Sequence, residues 1–174
     1  ILFGSAKITD KRKGIDYFIE SCRVLAERYP ELKDELGIVV YGKDSEQLKP
    51  LVPFQVYPLN YISNEKELID VYNSVDLFVT PSLEENLPNT IMEAMACGIP
   101  CVGFQVGGIP EMIDHLHNGY VAEYKSVEDF ANGIHWILNE GEYKTLSEEA
   151  CRKVSSSYSE SAIAKRYIEV YNKV

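Results

Sequence analysis

Residues 80–110, TPSLEENLPNTIMEAMACGIPCVGFQVGGIP, run through a strand end, an acidic loop, a helix, a stop, a second strand and a glycine turn. Pro88 suits the first turn of a helix, where a missing N–H is no loss. Gly98 stands where a left-handed residue ends a helix, and Pro100 prevents continuation. Between them, from Pro88 to Cys97, the apolar Ile91, Met92, Ala94, Met95 and Ala96 fall on nearly every side. That distribution predicts a buried helix rather than an amphipathic one. Apart from Cys97, Glu93 is its only ionisable side chain.

A carboxylate on a buried helix is costly unless something pairs with it or it faces a wet cleft. Glu93 lies roughly 8 Å from the helix start at about 1.5 Å per residue, and Glu85 precedes the helix in the loop leaving the strand. Both can face one crevice at the carboxyl end of a strand, beside a helix N-terminus that favours phosphate. On spacing alone, Glu84, Glu85 and Glu93 fit equally well as a solvated acidic edge with a helix-stabilising charge.

Outward from this stretch the chain alternates strand and helix patterns. Ile1–Phe3, Gly37–Tyr41, Phe54–Tyr57, Asp76–Thr80, Pro100–Phe104 and Tyr120–Ala122 read as strands. Helices are predicted over Gly14–Tyr29, Glu65–Ser74, Val127–Leu138, Glu142–Ser155 and Ser159–Asn172, with Ile15, Phe18, Ile19, Cys22, Leu25 and Ala26 on one face of the first. Continuous apolar strands between helices imply a parallel sheet covered on both faces, a doubly wound α/β domain that binds its ligand beyond the strands' carboxyl ends.

The segment PSLEENLPNTIMEAMACGIPCVGFQVGGIPEMI, residues 81–113, resembles the donor-binding signature of retaining GT-B glycosyltransferases of the group 1, or family 4, type. Glu85 and Glu93 match that family's Glu-x7-Glu motif. KRKG at 11–14, YNSVDLFVTPS at 72–82 and NGYVA at 118–122 extend the likeness over most of the chain. The resemblance implies a Rossmann-like fold and the C-terminal half of a two-domain enzyme. Residues 1–174 would then be the nucleotide-sugar-binding domain, cut from a longer protein whose N-terminal half carries the acceptor site.

By the same resemblance, Lys13 contacts the donor diphosphate, Glu93 accepts from the ribose hydroxyls and Glu85 from the sugar. Lys13 and Glu85 are thus the expected catalytic residues. The family usually has an arginine directly after the first-strand glycine, but here Gly4 is followed by Ser5 and Ala6, leaving Arg12, Lys11 or Lys7 as substitutes. Asn60–Ser63 falls where the base is held by main-chain groups, and Tyr61 reads equally as a ring that stacks on the base and as a surface aromatic. Asn86, Leu87, Pro88 and Asn89 depart from the commoner Glu-x-Phe-Gly form, Pro88 removing one N–H from the donor loop. The implied donor is a nucleotide-diphosphate sugar, with no cofactor and no metal. The implied acceptor is a sugar or lipid-linked sugar reached through the N-terminal half. A binding module of the same fold without catalysis is the alternative, and a phosphorylase or epimerase is a third.

The basic run Lys11-Arg12-Lys13 before a helix reads, on composition alone, more readily as a solvated loop than as a diphosphate site, and the resemblance reverses that order. No GxGxxG follows the first strand, and Gly42-Lys43-Asp44-Ser45 lacks the upstream glycine of a P-loop. A net charge of −10, from 27 acidic and 17 basic residues, argues against nucleic-acid partners. No apolar run reaches the ~18 residues of a membrane span, and a cytoplasmic protein, or one peripheral to the inner membrane face, is expected. The four cysteines show no zinc spacing and read as buried thiols. His115 and His117 read as exposed turn residues. Gly107-Gly108 reads as a loop, and Trp136, Tyr158, Tyr167 and Tyr171 as packing residues.

Overall fold

The structure, a computed structural model, describes residues 1–172. Six parallel strands form one sheet: β1 (Leu2–Lys7), β2 (Gly37–Lys43), β3 (Gln55–Leu59), β4 (Phe78–Thr80), β5 (Cys101–Phe104) and β6 (Gly119–Ala122). Their spatial order is β3-β2-β1-β4-β5-β6. The chain therefore builds outward from β1 on one side, then returns to β1's other side with β4. The order reverses between β1 and β4, and in doubly wound sheets the ligand crevice opens at that reversal.

Strand alternation sends side chains to two cores. Phe3, Leu77, Val79 and Val102 point to one face, where α1 (Ile15–Arg28) and α6 (Val127–His135) supply Phe18, Cys22, Leu25, Phe130 and Ile134. Leu2, Phe78 and Cys101 point to the other, met by Tyr72 of α3 (Glu65–Asn73), by Ile91, Ala94 and Met95 of α4 (Asn89–Ala96), and by Ala150 of α7 (Tyr143–Ser157). Burying each of these large apolar side chains stabilises the fold by about 1.5–3 kcal/mol. Short helices α2 (Leu32–Glu35) and α5 (Ile109–Met112) and a final helix α8 (Glu160–Tyr171) complete the element set. α5 follows directly on Gly107-Gly108, which reads as a loop, because a single helical turn is too short to show a period, and α2 lies where no element is predicted. Pro110 sits in the first turn of α5.

Four expectations are corrected. α4 is amphipathic: Ile91, Ala94 and Met95 are buried, Met92 is half-buried, and Glu93 and Ala96 are exposed. Alanine and methionine are apolar enough to suggest burial but are tolerated at a helix surface. Pro88 precedes α4 in extended conformation, φ −69° and ψ 117°, as its N-cap rather than within its first turn. Among the C-terminal aromatics only Trp136 and Tyr158 are partly buried, whereas Tyr167 and Tyr171 are 61% and 74% exposed on α8, which buries no residue. The thiols divide similarly. Cys22 and Cys101 are buried, Cys97 is half-buried and Cys151 is exposed. Among the described residues no helix is long and apolar enough to cross a membrane.

Candidate functional site

The loops leaving β1 and β4 meet above the point where the strand order reverses. After β1, Asp10 caps one turn of 3-10 helix, Lys11–Lys13, and Gly14 then turns left-handed at φ 69° to start α1. A Cβ at Gly14 would lie 1.8 Å from the Pro81 carbonyl oxygen, so only glycine lets the two loops touch. Leu83 N–H donates to the Arg12 carbonyl at 2.7 Å and locks that contact. The result is a cavity of about 380 Å³ lined by Arg12, Lys13, Glu84, Glu85 and Asn86.

Within it, Lys13 Nζ is ion-paired with Glu85 Oε1. Ser82 Oγ donates to the same carboxylate oxygen at 2.9 Å, and Thr80 Oγ1 lies 3.2 Å from Ser82. Ser82 and Thr80 are buried, so Glu85 stands on a preset pair of hydroxyls rather than swinging free. Of the substitute cations, Arg12 reaches the cavity but is held by Asp10 at 2.8 Å. Its guanidinium hydrogen bonds keep the Asp10 carboxyl below its usual range. Lys11 instead lines a separate groove with Ile8, Ile15 and Leu48.

The helix termini add to the positive side of this cavity. α3, α6, α7 and α8 begin with side-chain caps from Asn64, Ser126, Glu142 and Ser159. α1 and α4, the two long helices that begin at this crevice, have none. Their first N–H groups and dipoles are therefore available to an anion.

Across the crevice the second glycine turn closes on the acidic loop. Gly107 has φ 55°, and a Cβ there would lie 1.8 Å from the Glu85 carbonyl oxygen. Gly108 N–H donates to the Asn86 carbonyl at 2.6 Å. Exposed Leu87 packs over Gly108, while Pro88 is buried and Asn89 exposed. These glycines do more than make a loop, because they set the position of Glu85.

Glu93 stands apart from this pair. It faces a neighbouring groove of about 530 Å³ between α3 and α4, with Leu68, Tyr72 and Cys97. Tyr72 Oη donates to Glu93 Oε2 at 3.0 Å and lies 3.3 Å from Tyr41 Oη, so Tyr41 is the donor of that second bond. Burial, with the neighbouring Tyr41 and Glu93, pushes the Tyr72 hydroxyl well above its ordinary range and keeps it a donor. Gly4 belongs to the same assembly: a Cβ there would sit 2.1 Å from the Tyr41 ring. Ser5, after Gly4, has a buried hydroxyl with no hydrogen-bond partner among the described residues. Tyr61 is 60% exposed on the loop before α3.

The structure thus joins Arg12, Lys13, Glu85 and Asn86 directly, and links Gly4 to Glu93 through two tyrosines. Ser82, Tyr41, Tyr72 and Gly107 were not singled out by sequence as parts of one site. Capping residues offered one missed signal, since Gly14 and Pro88 stand where other helices carry Asn or Ser. His115 and His117 are exposed, as expected for a turn. Gly42, φ 128°, brings β2 against the Ser5 carbonyl rather than against a phosphate loop.

The family model for glycosyl transferases group 1 matches residues 1–140. The chain belongs to that family. An uncharacterized glycosyltransferase of Haemophilus influenzae is 31% identical over 149 residues, 84% of this chain and 42% of the relative. A Campylobacter jejuni relative, N,N'-diacetylbacillosaminyl-diphospho-undecaprenol alpha-1,3-N-acetylgalactosaminyltransferase, is 26% identical over 93% of this chain and 42% of its own length. The chain thus spans less than half of these group 1 relatives. Among solved structures, the C-terminal domain of the Francisella tularensis group 1 protein LpcC aligns with TM-score 0.74 at 23% identity, over 91% of this chain and 86% of that one. Anabaena HepE in complex with UDP aligns with TM-score 0.77 at 20% identity, over 99% of this chain and 48% of that one. At these identities the structural matches speak to the fold, which they share with this glycosyltransferase chain.

Proposed function

We propose that this group 1 chain is the nucleotide-sugar-binding domain of a retaining glycosyltransferase, which passes a hexose-type sugar to an acceptor hydroxyl with its anomeric configuration kept. The observation that carries this reading is the convergence of Lys13, Glu85 and two uncapped helix N-termini at the reversal of strand order. An anionic diphosphate fits the positive side, and sugar hydroxyls fit the carboxylate side. As the bond to the sugar breaks, negative charge grows on the leaving diphosphate. Lys13, once it exchanges Glu85 for the diphosphate, and the uncapped start of α1 beside it would stabilise that charge, which is electrostatic catalysis where charge develops. Glu85 orients the sugar, and Glu93, held by Tyr72, takes the ribose hydroxyls, supplying proximity rather than acid–base chemistry.

The acceptor site belongs to a second half of the enzyme, in keeping with relatives more than twice as long. Exposed Tyr167, Ile168, Val170 and Tyr171 on α8 suit a surface that such a half covers. The chain alone binds donor without transferring it. A reducing, cytoplasmic setting accords with Cys22 and Cys101 as buried thiols. Arg12 is engaged by Asp10, which leaves Lys13 as the main cation and keeps open a binding module without turnover. Transfer by the full-length protein separates the two readings.

Calorimetric titration with UDP, GDP and ADP, then their sugar conjugates, tests the donor site. HepE was solved with UDP, so uracil is the first base to try. One nucleotide should be selected, and Lys13→Ala should weaken it by about 10–100-fold, the range of a charge-assisted hydrogen bond. Undiminished binding by Lys13→Ala, or none by the full-length protein, overturns the reading.

A further inference from the structure

At the other end of the sheet lies a cavity that the donor site does not use. The C-terminus of α1, the loop before β6 and the C-terminus of α6 meet there around about 280 Å³, lined by Tyr29, His115, Tyr120, Asn132, His135, Trp136 and Glu140 among others. The 14 residues of α1 put it about 20 Å from the helix start beside Lys13. Its walls are aromatic. Tyr29 stacks on His135 at 3.7 Å, Tyr120 meets His115 edge-on at 4.5 Å, and Trp136 tilts against Tyr120 at 6.2 Å.

The fold departs from its local rules three times around this one space. Gly133 lies within α6, and a Cβ there would lie 2.5 Å from the Tyr120 ring. Glycine within a helix is unfavourable, yet here it lets that ring lie against the helix. Trp136–Glu140 forms a π-helical turn, closed by Gly141 N–H donating to the Trp136 carbonyl at 2.7 Å. Such turns are uncommon and concentrate at binding sites. Leu116, on the rim, is left-handed at φ 62°, a conformation that non-glycine residues rarely adopt.

Polar groups complete the lining. His115 Nδ1 accepts from the Val121 N–H at 3.1 Å, so its ring proton sits on Nε2 as a donor. Asn132 Oδ1 is taken by Arg28 at 2.9 Å, which leaves its amide N–H groups to a ligand. His135 Nδ1 lies 3.3 Å from Glu140 Oε1, so an imidazole and a carboxylate stand together on this wall. Donors from His115 and Asn132 beside the carboxylate of Glu140, set on aromatic walls, suit a neutral ring edged with hydroxyls. An anion finds no free lysine or arginine among the lining residues, and a cation would face the two donors.

We infer that this cavity is a second carbohydrate site, which takes one neutral pyranose unit of a glycan by stacking on Trp136 and Tyr120 and bonding to His115, Asn132 and His135. This rests on the cavity alone and not on the donor reading. Trp136 is the sole tryptophan of the chain, so its emission reports this site directly. Titrating the chain with methyl glycosides of glucose, galactose and N-acetylglucosamine should give a saturable change with Kd of order 1–10 mM, the range open to a ligand of about a dozen heavy atoms. Saturating UDP and Glu93→Ala should leave the Kd unchanged. His115→Ala and Asn132→Ala, both at exposed positions and checked for folding by circular dichroism, should each raise it at least tenfold. No saturable change for any of the three, or a change abolished by UDP, overturns the inference. So does binding of tetramethylammonium in place of sugars, which would make the cavity a cation site. UDP calorimetry reads the donor crevice separately, so either site can fail without the other.

Discussion

Glu85→Gln separates the two roles given to the acidic loop. In the structure Glu85 neutralises Lys13, the same cation that a diphosphate needs. A diphosphate arriving in the crevice must draw Lys13 away from Glu85 or share it. Lys13 is 34% and Glu85 12% exposed, so the pair is neither a surface ion pair nor a dry one. Its contribution falls between the few tenths of a kcal/mol of an exposed pair and the larger value of a charge-assisted hydrogen bond, about 1–2 kcal/mol. Competition of that size lowers diphosphate affinity by about 5–30-fold. Glutamine keeps the shape and can still accept from Ser82, but it no longer holds the ammonium. Free UDP, or whichever nucleoside diphosphate binds, should therefore bind Glu85→Gln about 5–30-fold more tightly by calorimetry at low salt. The extra affinity conferred by the attached sugar should shrink, because the carboxylate that accepts its hydroxyls is gone. Urea unfolding of wild type, Glu85→Gln, Lys13→Met and the double variant should give a coupling of about 1 kcal/mol without ligand. If Glu85→Gln weakens the free diphosphate as much as the nucleotide sugar, Glu85 does not compete for Lys13. The exchange of partners is then refuted.

Gly107→Ala should both destabilise the domain and disable the site. Its Cβ would fall 1.8 Å from the Glu85 carbonyl oxygen on a backbone at φ 55°. A loss of about 2–3 kcal/mol, a Tm lower by about 5–10 °C, should accompany at least tenfold weaker donor binding, since Glu85 is displaced. Gly37→Ala is the control, because its Cβ would meet only the exposed Tyr57 ring, at 3.1 Å, and that ring can swing aside. Equal donor affinity in both variants would sink the role given to the glycine turn. Tyr120 supplies a pH test. Burial, then its hydrogen bond to Asp129 at 2.8 Å and that carboxylate's charge, raise its hydroxyl from 10.0 to about 12. A raised folded pKa means stability fully present below pH 10 and lost as pH rises through about 12. Tyr120→Phe, which cannot ionise, should lose less stability than wild type across that window in thermal melts. Parallel curves would remove Tyr120 from the alkaline transition.

What the sequence made legible follows from how far apart the cooperating residues lie. Helix and strand periods, with Gly98 and Pro100 as stops, suffice for a doubly wound sheet. That topology puts the loops after β1 and β4 together, but the expected partner of Glu85 in one crevice is Glu93, and the structure gives it Lys13 instead. α4 was misread because its exposed side carries Ala96 and Met92, which leave no polar stripe to mark solvent. The support for Glu93 was not legible, because Tyr41 comes from β2 and Tyr72 from α3. Neither belongs to a local pattern, and each reads alone as an ordinary core aromatic. Gly107 carried only half its meaning, for a glycine shows that the backbone may turn left-handed but not what it must approach.

Helix capping marks the line between those two kinds of information. A cap is local and therefore readable, and Asn64, Ser126 and Ser159 are all visible as caps in the chain. Gly14 and Pro88 contribute no side-chain acceptor at the starts of α1 and α4. A helix needed only for packing gains about 1 kcal/mol from a capping side chain. Two helices that forgo that gain side by side, at the reversal of strand order and next to Lys13, leave their N–H groups for something that arrives from outside. If the reading is right, introducing a cap should trade function for stability. Gly14 cannot be tested this way, because any Cβ there meets Pro81. Pro88, buried but already extended, is the position where a capping side chain can be introduced.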